Sequence, residues 1–186
     1  GAAGALASGP AHAALSLTID DVDASGNFVS NLLTINDNDG NDTDNTTGEI
    51  KYEQNIGGFD LRVNFVEVDT GQGQGLMIQN FNARVLPNSG NQAIRLMALE
   101  DSFTAGQNPI TVFSEISPST NDSYVELEFN SKVDGTDIIA NQTLTGTGSG
   151  AVATQTTPVA VGANVSISHI TTLTASGVRS GTTGAD

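Results

Sequence analysis

The chain has 186 residues, of which 6 are basic and 21 acidic, giving a formal charge of -15, and it contains no cysteine. Neutralising phosphates takes clustered cations, and here Lys51, Arg62, Arg84, Arg95, Lys132 and Arg179 stand singly, so nucleic acid and anionic membrane surfaces are poor partners. Without cysteine there is no disulfide, no thiol catalysis and no Cys-based zinc site.

The first segment, Gly1–Ala13, is rich in Gly and Ala and ends in Ala11-His12-Ala13, which suits signal-peptidase cleavage. It is expected to be a tail or the remnant of a secretory signal. A domain over residues 14–177 should follow, with a C-terminal tail over 178–186. At this length one domain can bury roughly 70% of the surface exposed when unfolded.

Alternation with a period of two dominates from Ala14 onward. "ALSLTID" puts Leu15, Leu17 and Ile19 on one face and Ser16, Thr18 and Asp20 on the other. "NFVSNLLTI" (Asn27–Ile35) and "EIKYEQ" follow. "FDLRVNFVEVD" alternates Phe59, Leu61, Val63 and Phe65 and then breaks phase at Val66 and Val68, which predicts a β-bulge near Phe65–Val66. "GLMIQNFNARVL", "AIRLMALE", "ITVFSEI" and "YVELEFN" read as further strands, with turns at Gly71–Gly75 and Pro87–Asn91. "AIRLMALE" has helical propensity but strand-like neighbours, so strand is expected. After Asn130 the chain is rich in Thr, Gly and Ser. Val165, Ile167 and His169 share one face of a later strand. No long repeat is visible, and no run approaches the roughly 20 apolar residues of a spanning helix. The expected fold is all-β: one β-sandwich, jelly-roll-like, with a flexible or strand-donating N-terminal tail.

Two acidic stretches invite a metal reading. "DVDASGNF" opens like a calcium loop, with Asp21, Asp23 and Ser25 as side-chain ligands, Gly26 at the sharp turn and Asn27 giving a carbonyl. Its twelfth position is Leu32 rather than a bidentate Glu, so it is not an EF-hand, and a polar hairpin turn explains the same residues. "INDNDGNDTDNTTGEI" (Ile35–Ile50) lacks a loop motif, because Ile35 stands where the first ligand should be. It reads chiefly as a solvated connection in which Asx side chains bond nearby backbone. Calcium is the single cofactor the sequence suggests.

Catalytic signatures are weak. His12 falls in the tail and His169 in mid-strand, and no G-x-S-x-G occurs. Glu126 and Glu128 lie about 7 Å apart on one strand face, which a solvated strand explains without chemistry. With no Trp and only Tyr52 and Tyr124, a sugar-stacking platform is not expected. Sequons at Asn41, Asn45, Asn121, Asn141 and Asn164 match the number that chance supplies at this abundance of Asn, Ser and Thr.

The stretch from Leu15 to Thr70, followed by "IRLMALEDSFT", resembles bacterial exported proteins of the PEP-CTERM sorting-tag group. The shared features are a strand just after a cleavage site, an Asp/Asn-rich loop, Gly48-Glu49-Ile50-Lys51-Tyr52, and Gly58-Phe59 leading to Val63-Asn64. The resemblance covers about half the chain, and the tag itself is missing from the sequence. It implies a secreted, extracellular or cell-surface location, with exopolysaccharide as a candidate partner, and carries over no catalytic residue. The expectation is a non-enzymatic structural protein. It would be a subunit of an extracellular filament or biofilm matrix, polymerising with itself by donating a strand through Leu15, Leu17 and Ile19. The alternative is a calcium-stabilised adhesion or glycan-binding module. As a further alternative, Leu15–Ile19 would be the first strand of the chain's own sandwich.

Overall fold

The computed structural model describes residues 14–69, 74–86, 92–104, 108–111, 113–116, 119–120, 125–145, 148–149, 152–155, 158–176 and 183–185. The tail over 1–13 with His12, most of the turns read at Gly71–Gly75 and Pro87–Asn91, Tyr124 and the sequon at Asn121 lie outside the described residues.

In chain order the strands are β1 (Ala14–Val22), β2 (Phe28–Asn36), β3 (Glu49–Ile56), β4 (Phe59–Asp69), β5 (Gln74–Val85), β6 (Gln92–Thr104) and β7 (Phe113–Ile116). They continue as β8 (Ser119–Thr120), β9 (Val125–Val133), β10 (Thr136–Thr145), β11 (Gly148–Ser149), β12 (Val152–Gln155), β13 (Asn164–Ala175) and β14 (Thr183–Ala185). One six-stranded sheet runs β10-β9-β13-β6-β1-β2, a second runs β11-β8-β14-β5-β4-β3, and β12 pairs with β7 alone. Every strand pairing among the described residues is antiparallel. The fold is all-β, a sandwich of two sheets, and "AIRLMALE" is indeed strand, within β6.

The alternation read from the sequence builds the core. Leu15, Leu17 and Ile19 of β1, Ile94, Leu96 and Ala98 of β6, and Leu127 of β9 point inward from the first sheet. Ile50 and Tyr52 of β3, with Phe59, Leu61, Val63 and Phe65 of β4, meet them from the second. A smaller cluster of Val133, Ile138, Val161 and Val165 closes over the β9–β10 turn.

Two expectations need correction. The irregularity near Phe65 is real, but the extra residue is on β5: Asn64 pairs with Asn80 and Phe65 with Ile78, leaving Gln79 over. β4 itself pairs with β3 without a break from Ile56↔Phe59 to Glu49↔Val66. Its phase therefore holds, Val66 lies on the outer side, and Glu67 takes the next interior position. The C-terminal tail over 178–186 is also revised. Thr183–Ala185 form β14, which pairs with β5 on one side and β8 on the other, so the free side of β5 is occupied.

Candidate functional site

The β1–β2 turn was the better calcium candidate, and the structure shows what its side chains do. Asp23 Oδ1 accepts from the backbone N–H of Ser25 at 2.8 Å and of Asn27 at 2.9 Å, and Oδ2 accepts from Asn27 Nδ2 at 3.0 Å. Gly26 adopts φ 78°, the left-handed region where a Cβ is costly. The Asn27 side chain first, then the two backbone donors, hold the Asp23 carboxyl below its ordinary range. Asp21 is part of β1, opposite Ser30 and Ile94. Asp23 is thus the organiser of a hairpin turn, both of its oxygens engaged by that turn. Among the described residues, no three His, Asp or Glu side chains are grouped to hold a metal.

The longer acidic loop at the opposite end of the hairpin works in the same way. Asp39 accepts from the N–H of Asn36 and of Asn41, each at 2.7 Å. Asp42 accepts from Asn38, Asp44 and Lys51, each at 3.0 Å, which ties the loop to β3. Asp44 accepts from Thr46 at 2.7 Å, and Asp37 from Gly48 at 2.8 Å. Hydrogen bonding, led by Thr46 for Asp44 and by Asn36 for Asp39, keeps both carboxyls low. Each aspartate replaces a missing backbone acceptor. That is the chemistry that makes Asx residues collect in loops.

A different carboxyl chemistry lies a strand away. β6 carries Ile94, Leu96 and Ala98 inward, and the next interior residue is Glu100, whose exposure is 0%. Neither of its oxygens has a hydrogen-bond partner. Its lateral neighbours are Leu15 of β1 and Ile167 of β13. Glu67 occupies the matching interior position on the facing sheet, with its N–H bonded to Gly48 O at 2.7 Å. Burial, and then the charge of Glu67, push the Glu100 carboxyl up to about 7. Sequence reading missed this pair. The signal was available in the alternation, which runs 94, 96, 98, 100 on β6 and 61, 63, 65, 67 on β4.

The other catalytic candidates are distributed differently. His169 pairs with Ala98 and Ser131 and so belongs to the interior side of β13. Glu126 is exposed and Glu128 half-buried on the outer face of β9, opposite Thr145 and Thr143 of β10. They sit on a solvated strand face, with no link to Glu67 and Glu100.

Leu15, Leu17 and Ile19 are almost wholly buried, and β1 is hydrogen-bonded to β2 on one side and β6 on the other. Within the chain these three are the centre of its own core, the arrangement given above as the further alternative to strand donation. The open edge of this sheet at β1's side is β2 instead. Its pairing with β1 skips Leu32 and Val29, two extra residues that leave the ladder. Phe28, Val29 and Leu32 are 58%, 56% and 38% exposed. Beneath them Asp20, buried on the outer face, accepts from Arg95 at 2.7 Å and from Asn31 Nδ2 at 3.1 Å, and Arg95 lies 6.0 Å from the Phe28 ring centroid.

The fold and its edges define the class: a two-sheet all-β sandwich. No protein-family model matches the chain, and no curated protein matches it.

Proposed function

We propose that the chain is a non-enzymatic structural subunit that works outside the cell and associates with further copies of itself through β2. The observation that carries this reading is the contrast among the sheet edges. β3 is an edge strand bearing Glu49, Lys51 and Glu53, β10 an edge strand bearing Asp137, and β11 only two residues long. All three are ordinary ways to blunt an edge. β2, "FVSNLLTIN", has no charged residue and exposes Phe28, Val29 and Leu32. In a chain of charge -15, an uncharged apolar edge is the place where two copies meet with least repulsion. Two β2 edges facing each other across a two-fold axis form a self-complementary contact. The extracellular setting rests on the composition, on Ala11-His12-Ala13 and on the resemblance to exported PEP-CTERM proteins.

Sedimentation across a concentration series tests it. Association should strengthen as salt screens the like charges, since the Debye length shrinks from about 30 Å at ~0.01 M to about 10 Å at ~0.1 M. Val29→Glu should abolish it, by setting like charges against each other at the contact. A chain that stays monomeric at every concentration and salt level would sink the proposal, as would a Val29→Glu variant that assembles like the wild type.

A further inference from the structure

Two carboxyls that face each other inside a sandwich cannot both be charged cheaply. Taking an ion out of water costs several kcal/mol even after relaxation, and a like charge beside it adds to that. Glu100 meets both conditions, being fully buried with no donor at either oxygen. The elements around it offer little help. β1 presents Leu15, Leu17 and Ile19, all uncharged. β9 presents Val133 and Ser131, while its Lys132 is bound to Asp137 at 3.0 Å. From Gln74 to Ala83, β5 contains no ionisable residue at all. β3 presents Ile50 and Tyr52, whose phenol burial holds in the neutral form, and Glu49 bonds Asn64 at 2.7 Å. Among the described residues that leaves Glu67 on β4 and His169 on β13. His169 is paired with Ala98, so it is the diagonal neighbour of Glu100, roughly 7–8 Å away by sheet geometry. β6 carries an extra residue just beyond Glu100, because Glu100 pairs with Ile167 but Phe103 with Val165. The ladder that would hold this end shut is thus interrupted beside the carboxyl.

We propose that Glu67 and Glu100 share a single proton across the sheet interface, forming a latch that is closed with one charge on the pair and released with two. A carboxylic acid can donate to a carboxylate, so one proton supplies the donor that Glu100 otherwise lacks. Protonation and release involve only exchange of that proton with solvent. The upward displacement of Glu100 fixes the sign. Its folded-state affinity for a proton exceeds the unfolded one, so its contribution is full below about 4.5, falls as pH rises, and is gone beyond about 7.

Urea unfolding of the full chain from pH ~5 to ~8 tests this, with the wild type, Glu100→Gln and Glu67→Gln side by side. The wild-type folding constant should drop by roughly 70-fold over this range, most of it below pH ~7, and then level off. Glu100→Gln should abolish that slope and Glu67→Gln should shrink it. Infrared spectra of the folded protein near pH ~6 should show a protonated-carboxyl band that Glu100→Gln removes. If Glu100→Gln does not fold, Glu67→Gln and the wild-type band decide the matter alone. Parallel pH profiles, or no such band in the wild type, would overturn the latch. So would calcium that raises the wild-type midpoint at pH ~8 but not that of Glu67→Gln, because a cation would then be doing the proton's work.

Discussion

The acidic loop over Asp37–Gly48 and the interior pair of Glu67 and Glu100 lie at one end of the sandwich, joined at Gly48. The Gly48 N–H donates to Asp37, and a Cβ at Gly48 would stand 3.4 Å from Glu67 Oε2. The carboxyls on the two sides of this glycine behave in opposite ways. Outside, each aspartate collects backbone donors, and those of Asp39 and Asp44 are held low. Inside, Glu100 collects none and is raised. The supply of donors, more than the number of charges, decides which carboxyls stay ionised. The stability signs follow. What the capped aspartates contribute is present above the ordinary carboxylate range and lost as acid protonates them. What Glu100 contributes is lost as pH rises. The chain is therefore squeezed from both sides, with its best stability in mildly acidic solution.

The largest effect lies away from the Glu67–Glu100 end. Ile94 shares the inner face of β6 with Glu100 but sits toward the other end, in register with Asp21 of β1, and is fully buried. Ile94→Ala should cost about 2–5 kcal/mol in urea unfolding, with a cost that does not change with pH. A cost that grew with pH would tie Ile94 to the latch and erase the distinction between the ends. Next in size is Gly57→Ala. Gly57 has φ 56°, and a Cβ there would stand 2.5 Å from Ile94 Cγ2 and 3.2 Å from Leu32 Cδ1. The left-handed backbone and the overpacking together should cost about 2 kcal/mol. Ile94→Ala should relieve part of that in the double variant, since the clashing methyl is gone.

Much of this is legible in the sequence. Period-two alternation places Leu15, Leu17 and Ile19 inside, and the same rule places Ile94, Leu96 and Ala98 there. Strand order was not legible, because alternation tells a strand which face is buried and nothing about its neighbour. β13, for example, lies between β6 and β9, far from either in sequence. Glu67 was misread for a physical reason. A glutamate at an interior position looks like a lost phase, so Val66 and Val68 suggested a bulge in β4 when β4 had simply continued. Leu15 to Ile19 left two readings open because a strand that completes its own sheet and one that completes a neighbour's carry the same pattern.

Asp42→Ala gives the smallest of these effects and the finest test of the donor argument. Asp42 is half-buried and accepts from the N–H groups of Asn38, Asp44 and Lys51. Water can reach this loop, so the abandoned donors are partly resolvated, and the loss should be about 1 kcal/mol rather than the full cost of a dry unpaired donor. Asp42→Asn separates charge from acceptance. Its carbonyl oxygen can keep the bonds that Oδ1 takes from Asp44 and Lys51, while the amide nitrogen cannot accept from Asn38. If donor satisfaction governs the loop, Asn at this position should lose less than half of what Ala loses, and amide exchange should quicken at Asn38 more than at Lys51. Equal losses for Asn and Ala would mean that the charge itself holds the loop, and the contrast drawn with Glu100 would fail.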